Sequence, residues 1–222
     1  VFFYVHSADT TQHLIKPLLL LHSSNVVLWQ QAGEQINGRG QRGRFWHSNS
    51  GNLYITGCIF GCDNIQPGQV SITGGVALAQ MLENLNTNQE ISLKWPNDLL
   101  INSRKCGGIL IERYDNAYLV GIGININSHP ENVETSATHL NLYGEFNLWD
   151  ISLKVQRSIE NAFRNFSDFS IIQNHWWNFA KRSVHKWIAR EPLNGEVIGI
   201  DHLGQLLIQM PNGDLQAKHN RF

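Results

Sequence analysis

Apolar positions change their spacing several times along this chain, and each change marks an element. Residues 1–5 and 25–31 are apolar and rich in β-formers, which predicts two strands. Between them, 11–21 is expected to hold a helix that Pro17 breaks. Residues 52–59 read as a strand entered from the turn residues Ser48-Asn49-Ser50-Gly51. Val76, Leu78, Ala79, Leu82 and Leu85 give the apolar face of a helix over 72–85, with Ser71 as its cap.

A dense β region follows. Residues 91–95 form a strand stopped by Pro96-Asn97-Asp98, and 99–101 and 106–112 form a hairpin around Asn102-Ser103-Arg104. The Asp115-Asn116 turn leads into 117–127. Short strands joined in this way predict a mainly antiparallel sheet. Ile151, Val155, Ile159, Ala162, Phe163 and Phe166 then recur at helical spacing, a core-facing stripe on a helix over 148–166. Another helix covers 171–183. Its Trp176, Trp177 and Phe179 suit core packing better than a stacking platform. After Arg190-Glu191-Pro192, short strands at 196–201, 205–210 and 215–218 predict a small β appendage. The class is α+β: a mixed, largely antiparallel sheet flanked by helices, with a small β domain at its end. The expected division is 1–187 and 188–222.

Composition narrows the function classes. Hydrophobic residues are 42% and charged residues 16% of the 222, which is globular composition. Net charge is −1, so there is no general attraction to DNA or membrane, and any cluster of charge is a local device. The longest apolar run, 17–21, is too short to span a bilayer. Three cysteines, Cys58, Cys62 and Cys106, lack the grouping of a metal site and read as reduced cytosolic thiols.

Four segments carry candidate chemistry. Gly38-Arg39-Gly40-Gln41-Arg42-Gly43-Arg44 holds three arginines and three glycines without an acid, and Phe45-Trp46 follow. Glycine permits close backbone approach, and arginine presents a fork of donors to phosphate or carboxylate. The alternative is a solvated basic loop. Lys94-Trp95-Pro96-Asn97-Asp98 exposes a lysine, an amide and a carboxylate at a strand end, suited to a nucleotide and its magnesium or to a plain turn. In Arg104-Lys105-Cys106-Gly107-Gly108, Lys105 follows a tight turn and the glycines leave room for a ligand; a solvated lysine is the alternative. Gly121-Ile122-Gly123-Ile124-Asn125 alternates glycine within a strand, a mark of close ligand or backbone approach.

In this order the segments resemble the catalytic domain of the biotin protein ligases. The match begins at Asp9-Thr10-Thr11-Gln12, continues through Glu34-Gln35 and 38–46, and then takes in 94–98, 104–112 and 121–125. The resemblance implies a class II synthetase-like catalytic fold followed by a small SH3-like β-domain. It implies a ligase that activates biotin with ATP and Mg2+ as biotinyl-5′-AMP. The biotinyl group then passes to a lysine of a biotin carboxyl carrier protein of acetyl-CoA carboxylase or a related carboxylase. It assigns biotin to Thr10, Thr11, Gln12, Gln35, Arg39, Gly40, Gln41, Lys105, Gly107 and Gly123, and ATP to Arg42, Arg44, Trp46, Lys94, Asn97 and Asn125. Lys105, Arg39 and Arg42 are the expected catalytic residues, and Asp98 the magnesium ligand.

Three departures stand out. Gln41 replaces an arginine frequent in the family, Thr10 and Gln12 replace serine and asparagine, and the closing residues 217–222 lack the usual last segment. The chain begins almost directly in a strand, so the reading is monofunctional, without a DNA-binding helix-turn-helix. The expected setting is cytoplasmic, with no DNA or membrane partner and a weak homodimer. A lipoate or octanoate ligase or transferase of the same fold is the rival, and a non-enzymatic nucleotide- or anion-binding module the alternative of another class.

Overall fold

The computed structural model describes residues 1–19, 27–60, 64–131, 136–190 and 193–219. Expectations for 20–26, for Cys62, for Glu191-Pro192 and for 220–222 lie outside these.

A seven-stranded sheet forms the body, in the order β1-β2-β3-β7-β6-β5-β4. The strands are β1 (Phe2–Ala8), β2 (Leu28–Gln35), β3 (Leu53–Phe60), β4 (Ile91–Lys94), β5 (Asp98–Ile101), β6 (Arg104–Tyr114) and β7 (Ala117–Ile124). Only β1 and β2 pair in parallel; the other neighbours are antiparallel, as the short turns predict. The predicted strand over 25–31 is longer than expected: β2 continues to Gln35 and so delivers that amide to the sheet's end.

Period-two alternation assigns the strands' two faces to different neighbours. Trp29 packs in the main core and Leu28 in a smaller cluster with Ile15, Cys58, Ala117 and Leu119. The smaller cluster belongs to α1 (Thr11–Leu19), which runs through Pro17 without breaking. Pro17 is exposed, where water can replace the hydrogen bond its missing N–H would have made.

The main core belongs to α2 (Pro67–Glu83), α3 (Leu148–Arg164) and α4 (Phe169–Ala180). Helix α2 starts four residues before the predicted cap. Pro67 sits in its first turn, and Gln66 and Gln69 form a reciprocal capping box. Ser71 is buried inside the helix and donates to the Pro96 carbonyl at 3.2 Å. Gly74 leaves space for Ile109 and Ile159, whose Cδ1 atoms would lie 3.3 and 3.7 Å from a Cβ there. The Asn147 side chain accepts from Trp149 and Asp150 N–H groups at the start of α3, and Asp168 caps α4. Ile151, Val155 and Ile159 are buried as their spacing predicts, and Trp176 and Phe179 are core residues. A short helix, α5 (Val184–Arg190), follows where none was expected.

Three antiparallel strands, β8 (Glu196–Ile200), β9 (Leu206–Gln209) and β10 (Leu215–Lys218), form the second sheet. Its buried Val197, Ile200, Leu206 and Ile208 belong to the main core cluster. Trp95 Nε1 donates to the Gly204 carbonyl at 3.0 Å, Gln69 to His202 at 2.9 Å, and Gln173 to Ile200 at 2.8 Å. These bonds hold the small sheet beside the β4–β5 turn.

Gly57 shows how tightly the main core is packed. A Cβ there would lie 2.6 Å from the ring of Trp29, which is buried and whose Nε1 donates to Glu160 at 2.7 Å. The ring cannot yield without breaking that bond. Gly57→Ala is expected to destabilise the fold by about 1–3 kcal/mol, read as a lower urea midpoint at unchanged slope.

Candidate functional site

The sheet face opposite α2 is only partly covered by α1, and a cavity of about 520 Å3 occupies the remainder. The end of β2, the 38–46 loop, the β4–β5 turn, the middles of β6 and β7 and part of the second sheet all border it. Every residue assigned above to biotin, ATP or metal lines this cavity except Gly107.

An irregularity in β6 accounts for Gly107. Leu99 pairs with Gly107 but Leu100 pairs with Lys105, so Cys106 is an extra residue in the ladder. A bulge changes which side the following residues face. Lys105 and Gly108 therefore both border the cavity, although three positions apart. A Cβ on Gly107 would instead meet the Gly123 carbonyl at 2.8 Å and the side chains of Ile124 and Leu99. Of the two adjacent glycines expected to leave room for a ligand, Gly108 borders the cavity and Gly107 does not, and Gly121 and Gly123 border it beside Gly108.

The 38–46 loop closes as a small hairpin. Arg39 and Phe45 form an antiparallel bridge, and Gly40 N–H donates to Arg44 at 2.7 Å. Arg42 and Gly43 take left-handed φ values of 58° and 72° at its tip. Gly38 is required by packing: a Cβ would lie 2.3 Å from the Trp46 carbonyl. This hairpin brings Arg39, Arg42 and Arg44 to the cavity and lays the Trp46 indole over the glycine floor, 2.6 Å from where a Gly123 Cβ would be. Trp46 Nε1 is buried and finds no acceptor among the described residues. Gln41 is half-buried and lines the cavity, its amide nitrogen enclosed, so it does not project into solvent.

At the β2 end the polar groups are tied together. Gln35 Oε1 accepts from Thr11 N–H at 2.9 Å and its Nε2 donates to Ser48 at 3.0 Å; Thr11 also shares a 2.8 Å hydroxyl bond with Thr56. Gln12 Nε2 donates to the Leu110 carbonyl at 3.1 Å, and Thr10 accepts from His13 N–H at 3.1 Å. Thr10, Thr11 and Gln12 are all buried, so the wall they form is preset.

Charge gathers toward the centre and the other end. Lys105 Nζ lies 2.5 Å from Asp98 Oδ1 and 5.2 Å from the Trp46 ring centroid. Asp98 is the single carboxylate among the described residues that line the cavity, against Arg39, Arg42, Arg44, Lys94, Lys105 and Lys218. Asn97 Nδ2 donates to Ile109 at 2.7 Å and Asn125 Nδ2 to Thr138 at 3.0 Å, so both amides brace the wall they line. No group of three or more His, Cys, Asp or Glu that could hold a metal ion occurs among the described residues. Leu193, Leu206 and Lys218 also line the cavity, and no sequence motif pointed to them.

This geometry is a cavity lined by six lysines and arginines over a floor of glycines. The profile of the biotin/lipoate A/B protein ligase family matches residues 4–128. The chain belongs to that family. It is 31% identical over 204 residues to the biotin–[acetyl-CoA-carboxylase] ligase of Paracoccus denitrificans, covering 83% of this chain and 85% of that one. It is 30% identical to the bifunctional ligase/repressor BirA of Bacillus subtilis over 201 residues, 82% of this chain but 61% of that protein. Among solved structures, the biotin protein ligase of Aquifex aeolicus in complex with biotin and ATP has a TM-score of 0.81 at 25% identity, over 97% of this chain and 94% of that one. The family fold is thus established for this chain.

Neither Cys58 nor Cys106 lines the cavity. Burial pushes Cys106, directly behind Lys105, and Cys58 up to about 12. At pH 8 both are therefore held as protonated thiols, the unreactive form. In a Cys62→Ser variant, DTNB at pH 8 is expected to leave both remaining thiols unreacted in the folded protein and to titrate both in urea.

Proposed function

We propose that this protein is a biotin–protein ligase that makes biotinyl-5′-AMP from biotin and ATP and transfers the biotinyl group to a lysine of a carrier domain. The observation that carries the reading is the convergence of Lys105, the arginine hairpin and the 94–98 turn on one cavity with a glycine floor. A small, mostly apolar acid fits against Gly108, Gly121 and Gly123, with the Thr10–Gln12 and Gln35 wall offering hydrogen bonds to a ureido ring. Its carboxylate then lies at Lys105. There an oxygen attacks the α-phosphorus of ATP, the bond to pyrophosphate breaks, and a mixed anhydride forms. Two anions must meet, so the cations' neutralising effect lowers the barrier. Arg39, Arg42 and Arg44 would hold phosphate oxygens, and Lys94, Asn97, Asn125 and Trp46 the rest of the nucleotide. In the second step the carrier's neutral amine attacks the acyl carbon, an amide forms, AMP leaves and the amine's proton is lost.

Asp98 fits a magnesium ion, which needs only one or two carboxylates when phosphates and water complete its shell. The ion supplies further neutralisation of phosphate charge when bound. Asp98 meanwhile holds Lys105 in place through their 2.5 Å ion pair. The substrate's carboxylate replaces Asp98 at the ammonium, or shares it.

The same reading includes a catalytic part over 1–187 and an SH3-like part over 188–222, monofunctional action, a cytoplasmic setting, a carboxylase carrier domain as partner, neither DNA nor membrane as partner, and a weak homodimer. No helix among the described residues is long and apolar enough to cross a membrane. The family's breadth keeps lipoate as a second substrate candidate. Incubation with ATP, Mg2+, a carrier domain and either biotin or lipoate separates them: biotin-dependent pyrophosphate release and carrier labelling are expected, and labelling by lipoate alone would overturn the proposal.

Lys105→Ala is expected to lower biotin-dependent pyrophosphate release about ten- to hundredfold, the loss of one charge-assisted hydrogen bond of roughly 1.5–3 kcal/mol, with circular dichroism unchanged. Release at the wild-type rate would remove Lys105 from the reaction. Gln41→Arg adds a bidentate donor to the hairpin. It should slow biotinyl-AMP dissociation and reduce labelling of bystander proteins, while transfer to the carrier stays near wild type; an unaltered adenylate lifetime would show that Gln41 does not touch the adenylate.

A further inference from the structure

Asp9 stands where the polar wall meets the stem of the arginine hairpin, yet it does not border the cavity. Its carboxylate is engaged on both sides. Oδ2 lies 2.8 Å from His13 Nδ1 in the first turn of α1, and Oδ1 accepts from Asn37 Nδ2 at 2.6 Å. Asn37 directly precedes Gly38, where the hairpin starts. The backbones are joined at the same place: Ile36 N–H donates to Ala8 at 2.9 Å and Asn37 N–H to Asp9 at 3.1 Å. His13 N–H in turn donates to the Thr10 hydroxyl at 3.1 Å, so this chain of bonds ends in the wall itself. The bonds from Asn37 and then His13 hold the Asp9 carboxyl below the usual carboxylate range, and the charge of Arg39 adds to them.

The hairpin's own bonds set its shape but not its angle to the rest of the site. The Arg39–Phe45 bridge and the Gly40–Arg44 bond both close within the hairpin. Two side chains join its stem to α1: Gln35, whose Oε1 accepts from Thr11 N–H, and Asp9. Gln35 lines the cavity, where a ligand can compete for its amide; Asp9 lies outside it. We infer that Asp9 is a positioning residue: through Asn37 it fixes the stem of the arginine hairpin to the first turn of α1 and so holds the hairpin over the ligand. Three glycines make an ordered hairpin costly in conformational entropy. A fixed stem lowers that cost, because fewer torsions remain to be ordered when an anion arrives.

Amide hydrogen exchange of the full chain without ligand tests this. The amides of Gly40, Arg44 and Trp46, which are bonded within the hairpin, are expected to exchange about three- to tenfold faster in Asp9→Ala and in Asn37→Ala, the range for one exposed hydrogen bond. Exchange in α2 should stay unchanged. Asp9→Asn keeps an oxygen for Asn37 and should remain close to wild type. The inference rests on the proposed function in naming the ligand: synthetic biotinyl-5′-AMP should leave both alanine variants faster by a similar factor. Unchanged hairpin exchange in both overturns the inference, as does a rise shared by α2, which would mark a general loss of stability. Asp9→Asn as fast as Asp9→Ala overturns it too, since charge and not the bond to Asn37 would then act. So does an unaltered adenylate lifetime beside faster exchange. In each of these cases biotin-dependent pyrophosphate release by the wild type leaves the ligase reading standing. Faster exchange confined to the hairpin, in a chain whose wild type neither binds the adenylate nor releases pyrophosphate, keeps the positioning role and removes the ligase reading.

Discussion

Helix α2 is buried along most of its length against β4–β7, and that contact determines which side of each strand is free to border the cavity. Ile109 and Ile111 are held in the core by this packing, so Gly108 and Leu110 border the other face. Gly74 allows the close approach, and Ser71 ties the helix to the Pro96 carbonyl in the turn that carries Asn97 and Asp98. Because side chains alternate with period two, this apolar contact behind the sheet decides which residues of β6 and β7 border the cavity in front of it. The Cys106 bulge is the local exception. It keeps the thiol in the core while bringing Lys105 round to the cavity.

Electrostatics on the front face are unbalanced by design of the fold and not by composition. The chain as a whole has net charge −1, yet the cavity gathers six lysines and arginines around Asp98. Their attraction for an anion is strongest inside a walled space, where water screens less. The Asp98–Lys105 pair keeps the central ammonium in position before any substrate arrives. Such a partly buried pair contributes little net stability, because desolvation offsets attraction. Its value is positional.

Much of this was legible in the chain. The strand alternation, the hairpin turns and the stripe Ile151, Val155, Ile159 follow from local spacing and emerge as expected. Where local signals competed, the reading slipped. Ser71 resembled a cap, but Pro67 with the Gln66–Gln69 box starts the helix earlier. Pro17 resembled a break, but its exposed position lets the short helix continue. Residues 184–190 gave no distinct helical pattern, and α5 was missed.

Sequence alone determined which residue types were available for the chemistry: the glycine–arginine loop, the 94–98 turn, Lys105 and the alternating glycines are contiguous motifs whose order marks the family. Tertiary structure decided what no contiguous motif encodes. It exchanged Gly107 for Gly108 through a single extra residue in β6, paired Lys105 with Asp98 across neighbouring strands, and brought Lys218 to the cavity from more than a hundred residues away. The reason is physical. A motif specifies local geometry, whereas facing, pairing and long-range approach depend on ladder register and on which surfaces the core buries.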